Sequence, residues 1–227
     1  MKCIKFIDET FLGQKGFSRY SDPKVNWDRE CTDYDTVIYT DRLCFSQPID
    51  NTKTNYAWIV EPPIINGENY VNIAKNSHNF KNVFSYIRNL GNQIDNFVFV
   101  PHGSSWIKDE DMKIHDKTKM VSSIFSWKDW NAYHRMRHRV YERFKETNKV
   151  DFYGSGCGKE LDYKLDAIKD YMFSIVIENS IESDYFTEKL LDCFLTGTIP
   201  IYVGSKTTSE YFDSDGIIYF EGDEDLP

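Results

Sequence analysis

The residues best placed to do chemistry in this chain of 227 residues lie between positions 173 and 204, in the run FSIVIENSIESDYFTEKLLDCFLTGTIPIYVG. Its apolar start, residues 173–177, predicts a strand buried on both faces. Glu178, Asn179 and Ser180 gather where that strand must end. Asp184 suits the N-cap of a helix. That helix is expected from about Tyr185 or Phe186 to Thr196, with Glu188 and Lys189 near its first turn. The N–H groups and dipole of a helix start favour an anion, and Lys189 adds a positive charge. A carboxylate beside them accepts hydrogen bonds from hydroxyls, as on a ribose or hexose. The same residues also serve as ordinary surface and turn positions, and spacing alone leaves both readings open.

A second cluster is basic. Between Lys113 and Lys149 stand 10 Lys/Arg against 4 Asp/Glu, although the whole chain has 27 against 36 and a net charge of -9. Overall acidity excludes a general nucleic-acid coat or a polybasic membrane binder. One basic segment in an acidic protein suits a small anion such as a nucleotide, or else a solvated helix face. Within it Arg135, Arg137 and Arg139 alternate, so on a helix they cannot all face one site. An Arg fork matches phosphate oxygens. The acidic runs Asp109-Glu110-Asp111 and Asp223-Glu224-Asp225 read as solvated stretches, and no metal site is expected.

These groups need elements to hold them. Short β-like runs cover residues 2–7, 36–40, 56–60, 82–87 and 96–100, with helices expected at 68–75 and 88–93. The second half alternates more regularly: strands at 119–125, 150–153, 173–177, 199–203 and 217–220, helices at 131–147, 164–171, 186–196 and 207–212. Such alternation means β-α-β units and a parallel sheet, whose ligands sit beyond the carboxyl ends of the strands. The polar stretch 108–117 places the domain boundary, giving domains 1–112 and 113–227. The five cysteines are widely spaced with no CxxC pair, which predicts free thiols in a reducing compartment. No apolar run approaches the roughly 18 residues of a membrane helix. The N-terminus turns acidic too soon for a signal peptide, so the chain is expected to be soluble and cytoplasmic. The last strand runs into an acidic stretch with no helix after it, and a truncated C-terminal end is expected.

The 173–204 segment resembles the donor-site motif of the α-1,3/1,4-fucosyltransferase family. That motif is an apolar strand, Glu-Asn, Tyr-x-Thr-Glu-Lys, a helix and an Ile-Pro-Ile-type strand ending in Gly. Here these are residues 173–177, Glu178-Asn179, Tyr185-Phe186-Thr187-Glu188-Lys189 and Ile199-Pro200-Ile201-Tyr202-Val203-Gly204. Upstream, Arg137 best matches the family's diphosphate-binding arginine by its spacing to Tyr141, with Arg135 and Arg139 as competitors. VDFYGSG at 150–156 resembles its second donor-domain strand and glycine turn, around Gly154. Glu61 ends an apolar strand where the family has its catalytic base. The usual Gly-Glu-Asn context is absent there because Pro62-Pro63 follows, and Glu68, in Gly67-Glu68-Asn69, is the rival. His102 and Asp41 also stand at strand ends.

The resemblance implies an α/β fold of the GT-B type, two Rossmann-like domains whose parallel sheets face a cleft. The first domain would serve the acceptor and the second the nucleotide sugar. It implies an inverting glycosyltransferase that moves fucose from GDP-fucose to a glycan hydroxyl, with no cofactor beyond the GDP-sugar donor and no metal. In that scheme Glu61 is the base. Arg137, Asn179, Tyr185, Glu188 and Lys189 bind the donor, with Glu178, Gly154 and His102 as possible additions. Nucleotide sugar and glycan acceptor are the partners, with no nucleic acid and no integral membrane segment. The absence of an anchor points to a microbial or viral source. Two alternatives stay open: another nucleotide sugar on the same fold, or a truncated, inactive nucleotide- or carbohydrate-binding protein.

Overall fold

A computed structural model describes residues 2–8 and 26–220. The first part holds β1 (Cys3–Ile7), β2 (Trp27–Asp28), β3 (Tyr34–Thr40), α1 (Leu43–Ser46), β4 (Thr54–Ile59), α2 (Pro63–Asn76), β5 (Asn82–Ser85) and β6 (Phe97–Phe99). Its strands form one wholly parallel sheet in the order β2-β1-β3-β4-β5-β6. The second part holds β7 (Lys119–Ile124), α3 (Ala132–Phe144), β8 (Asp151–Tyr153), β9 (Tyr171–Ile177), α4 (Glu188–Thr196), β10 (Ile199–Val203) and β11 (Ile218–Tyr219). They form a second parallel sheet, β11-β10-β9-β7-β8. Each sheet has its own apolar core. Val37, Ala57, Ile59, Ile73 and Val83 fill the first, and Ile107, Ile168, Val176, Leu190 and Tyr202 the largest cluster of the second.

The chain divides into the units Met1–His102 and Gly103–Pro227. The division thus falls ten residues before the expected 112/113 boundary. Ser105 Oγ and Trp106 N donate to Asp192 Oδ1 of α4 at 2.8 and 2.9 Å. Asp192 also takes Lys164 Nζ at 2.7 Å, and its side chain is fully buried. Ile107, fully buried, packs in the second core. The polar composition after residue 107 reads as a linker, but Ser105 and Ile107 already anchor the chain to the second unit.

Local boundaries also shift for physical reasons. The helix expected at 68–75 is preceded by a short turn that starts at Pro63, whose fixed φ suits a first helical turn, and Asn66, at φ -140° and ψ 58°, kinks the chain between the two. The helix expected at 164–171 is a 3-10 turn, Lys164–Ala167, and Tyr171 already opens β9. Tyr171 is fully buried and its hydroxyl donates to Asp151 Oδ2 at 2.7 Å, so tertiary bonding outweighs helix periodicity there. Gly204 must be glycine for packing: a Cβ there would lie 2.2 Å from Tyr202 Cζ. The acidic residues 223–225 lie outside the described residues.

The cysteine expectation is corrected. Cys3 and Cys31 form a disulfide across 28 residues, while Cys44, Cys157 and Cys193 are free. Spacing gave no hint because β1 and the segment after β2 meet only through sheet pairing. Structural disulfides persist in oxidising compartments, so the inference of a reducing one loses its basis. Among the described residues no helix is long and apolar enough to cross a membrane.

Candidate active site

The chemistry-bearing stretch is organised around a buried carboxylate. Strand β9 ends at Ile177, and Glu178 extends it by one bond, N–H to Val203 O at 2.9 Å. The Glu178 side chain has no exposed surface. Its Oε1 accepts from Thr187 N at 2.8 Å and its Oε2 from Thr187 Oγ1 at 2.7 Å. A buried carboxylate is tolerated when hydrogen bonds and a cation replace its water. The cation is Lys189, whose Nζ lies 3.5 Å from Glu178 Oε2 and 3.2 Å from Glu188 Oε1. That ammonium also donates to Thr187 Oγ1 at 2.9 Å.

The helix start differs from the expected one. Helix α4 begins at Glu188, and the N-cap is Thr187, whose hydroxyl accepts from Lys189 N at 3.3 Å. Asp184 is not the cap. It sits at φ 63°, and its Oδ1 accepts from Tyr211 Oη at 2.6 Å. Asp is one of the few residues that takes this left-handed conformation readily. Tyr185 is buried, whereas Glu188 and Lys189 are half-buried at the helix start.

Helix α3 supplies the arginine. Asn131 caps it, accepting from Tyr133 N and His134 N at 2.9 Å each. Arg137 reaches to the end of β9. Its Nε donates to Ile177 O at 3.0 Å and its Nη2 to Asn179 Oδ1 at 2.8 Å. Arg135 and Arg139 are exposed, and Arg135 Nη1 bonds Asp129 O at 3.0 Å. Burial pulls the Arg137 guanidinium below its usual value, while Glu178, Tyr185 and Glu188 act to hold it up. Arg137, Asn179, Glu188 and Lys189 are therefore brought together at the carboxyl end of the second sheet.

Three residues of this site escaped the sequence reading as site residues: His134, Asn131 and Thr187. His134 is 3% exposed, and its Nδ1 is buried without a hydrogen-bond partner. Burial first, then the positive charges of Arg137, Lys128 and Lys189, pull its imidazole down to about 4, against an opposing hydrogen bond with Asn179. Asn131 Nδ2 donates to Asn179 O at 3.2 Å, tying the cap of α3 to the end of β9. An Asn before a helix and a Thr before Glu-Lys were the only signals available.

Gly154 has a steric explanation of its own. Its φ is 99°, and a Cβ there would lie 2.2 Å from Phe125 O. The turn therefore needs glycine to pass the end of β7, whatever it binds.

In the first unit, Glu61 follows β4 and is half-buried. Its backbone is pinned at both ends of the peptide. N–H donates to Asp41 Oδ1 at 3.1 Å, and the carbonyl accepts from Tyr70 Oη at 2.8 Å. Asp41, 5% exposed and at φ 46°, also accepts from Val60 N at 3.0 Å. Glu68 is exposed on α2. The His102 ring lies edge-on to Tyr86 at 6.2 Å. The acidic run 109–111 forms a 3-10 turn whose Asp111 accepts from Tyr163 Oη at 3.0 Å.

Residues 114–220 match the family described as glycosyltransferase family 10 (fucosyltransferase) C-term. A putative fucosyltransferase-like protein of Arabidopsis thaliana is 37% identical over 95 residues, 40% of this chain and 18% of the relative. The 4-galactosyl-N-acetylglucosaminide 3-alpha-L-fucosyltransferase 9 of Homo sapiens is 29% identical over 133 residues, 56% of this chain and 36% of the relative. The chain thus spans well under half the length of these relatives. A crystal structure of an alpha1,3-fucosyltransferase superposes with TM-score 0.57 at 14% identity, covering 97% of this chain and 74% of that one. A structure of an alpha1,3-fucosyltransferase with GDP-fucose gives 0.52 at 16% identity, covering 87% and 64%. The fold is therefore of the GT-B type shared by these structures, with two parallel sheets. These relatives come from a plant and a mammal, so a microbial or viral source gains no support from them.

Proposed function

We propose, from the match of residues 114–220 to the C-terminal domain of glycosyltransferase family 10, the fucosyltransferases, that the chain acts in transfer of fucose from GDP-fucose to a glycan hydroxyl, with inversion. The observation that carries this reading is the meeting of Arg137, Asn179, Glu188 and Lys189 at the end of β9 and the start of α4. The leaving diphosphate gains negative charge as the glycosidic bond breaks, and fixed cations there lower the barrier. Arg137 and Lys189 supply that charge from the protein itself, so the reading needs no metal. Glu188 and Asn179 accept or donate to hydroxyls of ribose or sugar, and Glu178 holds Thr187 and Lys189 in place. Gly154 shapes the neighbouring turn. The second unit is read as the donor side and the first as the acceptor side.

The acceptor hydroxyl is a poor nucleophile and needs a base in the transition state. Glu61 takes that role in this reading. Two hydrogen bonds of its backbone support it, N–H donating to Asp41 Oδ1 and the carbonyl accepting from Tyr70 Oη, since they fix where the side chain starts. His102 is a further acceptor-side group. Tyr185, being buried, supports the donor site through packing.

Calorimetry in EDTA tests the donor site. The expected result is binding of GDP in preference to UDP and CMP, weakened about tenfold or more in Arg137→Ala and Lys189→Ala, as loss of a charge-assisted bond implies. In a transfer assay, Glu61→Gln abolishes turnover but keeps GDP affinity. Selective UDP binding, or full turnover in Glu61→Gln, overturns the respective assignment.

A further inference from the structure

Two large aromatic side chains stand in solvent beside this site. Trp127 is 64% exposed and Trp130 59% exposed, on the loop between β7 and α3. The loop is held in place: Trp127 N donates to Ser155 Oγ at 3.3 Å, and Asn131 next to Trp130 caps α3. The two rings touch edge to face, with centroids 6.4 Å apart. Lys128 Nζ lies over the Trp130 ring at 4.6 Å. Trp130 in turn meets the His134 ring at 5.9 Å. His134 lies three residues before Arg137 on α3, about 4.5 Å along the axis. Scattered exposed apolar residues need no explanation, but two adjoining indoles on a hydrogen-bonded loop form a patch that calls for an occupant.

We propose that Trp127 and Trp130 form a stacking shelf for the base of the nucleotide sugar. This rests on the reading of Arg137 and Lys189 as the diphosphate site. A nucleotide whose phosphates lie on those cations must carry its base one ribose away. Trp130 is separated from Arg137 by a single ring contact and one helical turn. Every base offers a π-face to an indole. Lys128 adds the charge that favours a base edge rich in acceptors, as guanine has at O6 and N7. A glycan acceptor or a protein partner would also meet exposed indoles, but neither is tied by covalent length to the Arg137 site.

The test uses the whole chain and two probes, GDP and inorganic pyrophosphate. Trp127→Ala and Trp130→Ala are expected to weaken GDP about tenfold each. Pyrophosphate affinity stays unchanged, because it has no base. GDP is expected to quench tryptophan fluorescence in the parent chain, less so in either variant. Trp130→Phe, which keeps a π-face, restores most of the affinity. Both side chains are largely solvent-exposed, so folding survives, and circular dichroism checks this. GDP affinity equal to the parent in both variants overturns the shelf while leaving the donor site intact. A raised acceptor KM with unchanged GDP affinity also overturns it and assigns the rings to the glycan. No GDP binding by the parent chain overturns the donor-site reading together with the shelf.

Discussion

At the scale of single residues, the site depends on charges that burial has tuned. His134 is neutral in the folded chain because burial and Arg137 hold its imidazole down to about 4, below its ordinary 6.5. The sign follows directly. As pH falls below about 6.5 the unfolded chain takes up a proton that the folded one refuses, so stability is lost between pH 6.5 and pH 4. The loss amounts to about 3 kcal/mol at most. Urea unfolding across that range is expected to show it, and His134→Gln to flatten it. An unchanged slope in His134→Gln would place the proton uptake elsewhere. Arg137 and Asn179 sit in the same network, so the pH dependence of GDP binding is expected to steepen below the same limit.

At the scale of elements, α4 is positioned from both ends. Thr187 and Glu178 fix its start. Gly197, at φ 72°, ends it, with its N–H bonded to Phe194 O at 3.2 Å. Along its buried side, Asp192 gathers Lys164, Ser105 and Trp106 N. Burial acts most strongly to lower the Lys164 ammonium, but the charge and hydrogen bond of Asp192 together with the charge of Glu188 outweigh it and hold it raised. Removing one partner of such a pair leaves an uncompensated buried charge. Asp192→Asn is expected to destabilise the second unit by about 3–5 kcal/mol, read as a shift in denaturant midpoint. It is also expected to release residues 103–107, read by amide hydrogen exchange. Loss of stability without faster exchange there would separate the pair from the anchoring of that segment.

At the scale of the whole molecule, two units carry different constraints. The disulfide closes a long loop in the first unit, and bridges of that length stabilise by about 3–4 kcal/mol on chain-entropy grounds. Thiol titration in denaturant is expected to give three free thiols without reductant and five with it. Five before reduction would remove the bridge. Reductant is expected to speed hydrogen exchange in β1 and β3 and to leave the second sheet unchanged. The second unit, whose cysteines are free, relies instead on its core and on the Asp192–Lys164 pair.

The sequence by itself determined the repeated strand–helix alternation, the parallel sheets and the position of the motif at a strand end. Apolar runs bounded by polar turns are local signals, and a buried parallel strand such as residues 173–177 leaves little else to read. It also drew attention to Asn179, Glu188, Lys189 and the alternating arginines 135, 137 and 139, because residue type and spacing travel with the chain, and the family resemblance chose Arg137 among the three. Only the tertiary structure decided which side chains meet. Thr187, not Asp184, became the cap because Glu178 is buried beneath it and Asp184 is bound to Tyr211. Residues 103–107 joined the second unit because a buried carboxylate on α4, more than eighty residues away, holds them. Cys3 and Cys31 paired through sheet register, and Trp130 came to rest on His134 through the fold of one loop. Such outcomes depend on burial and long-range hydrogen bonding, which no local pattern encodes.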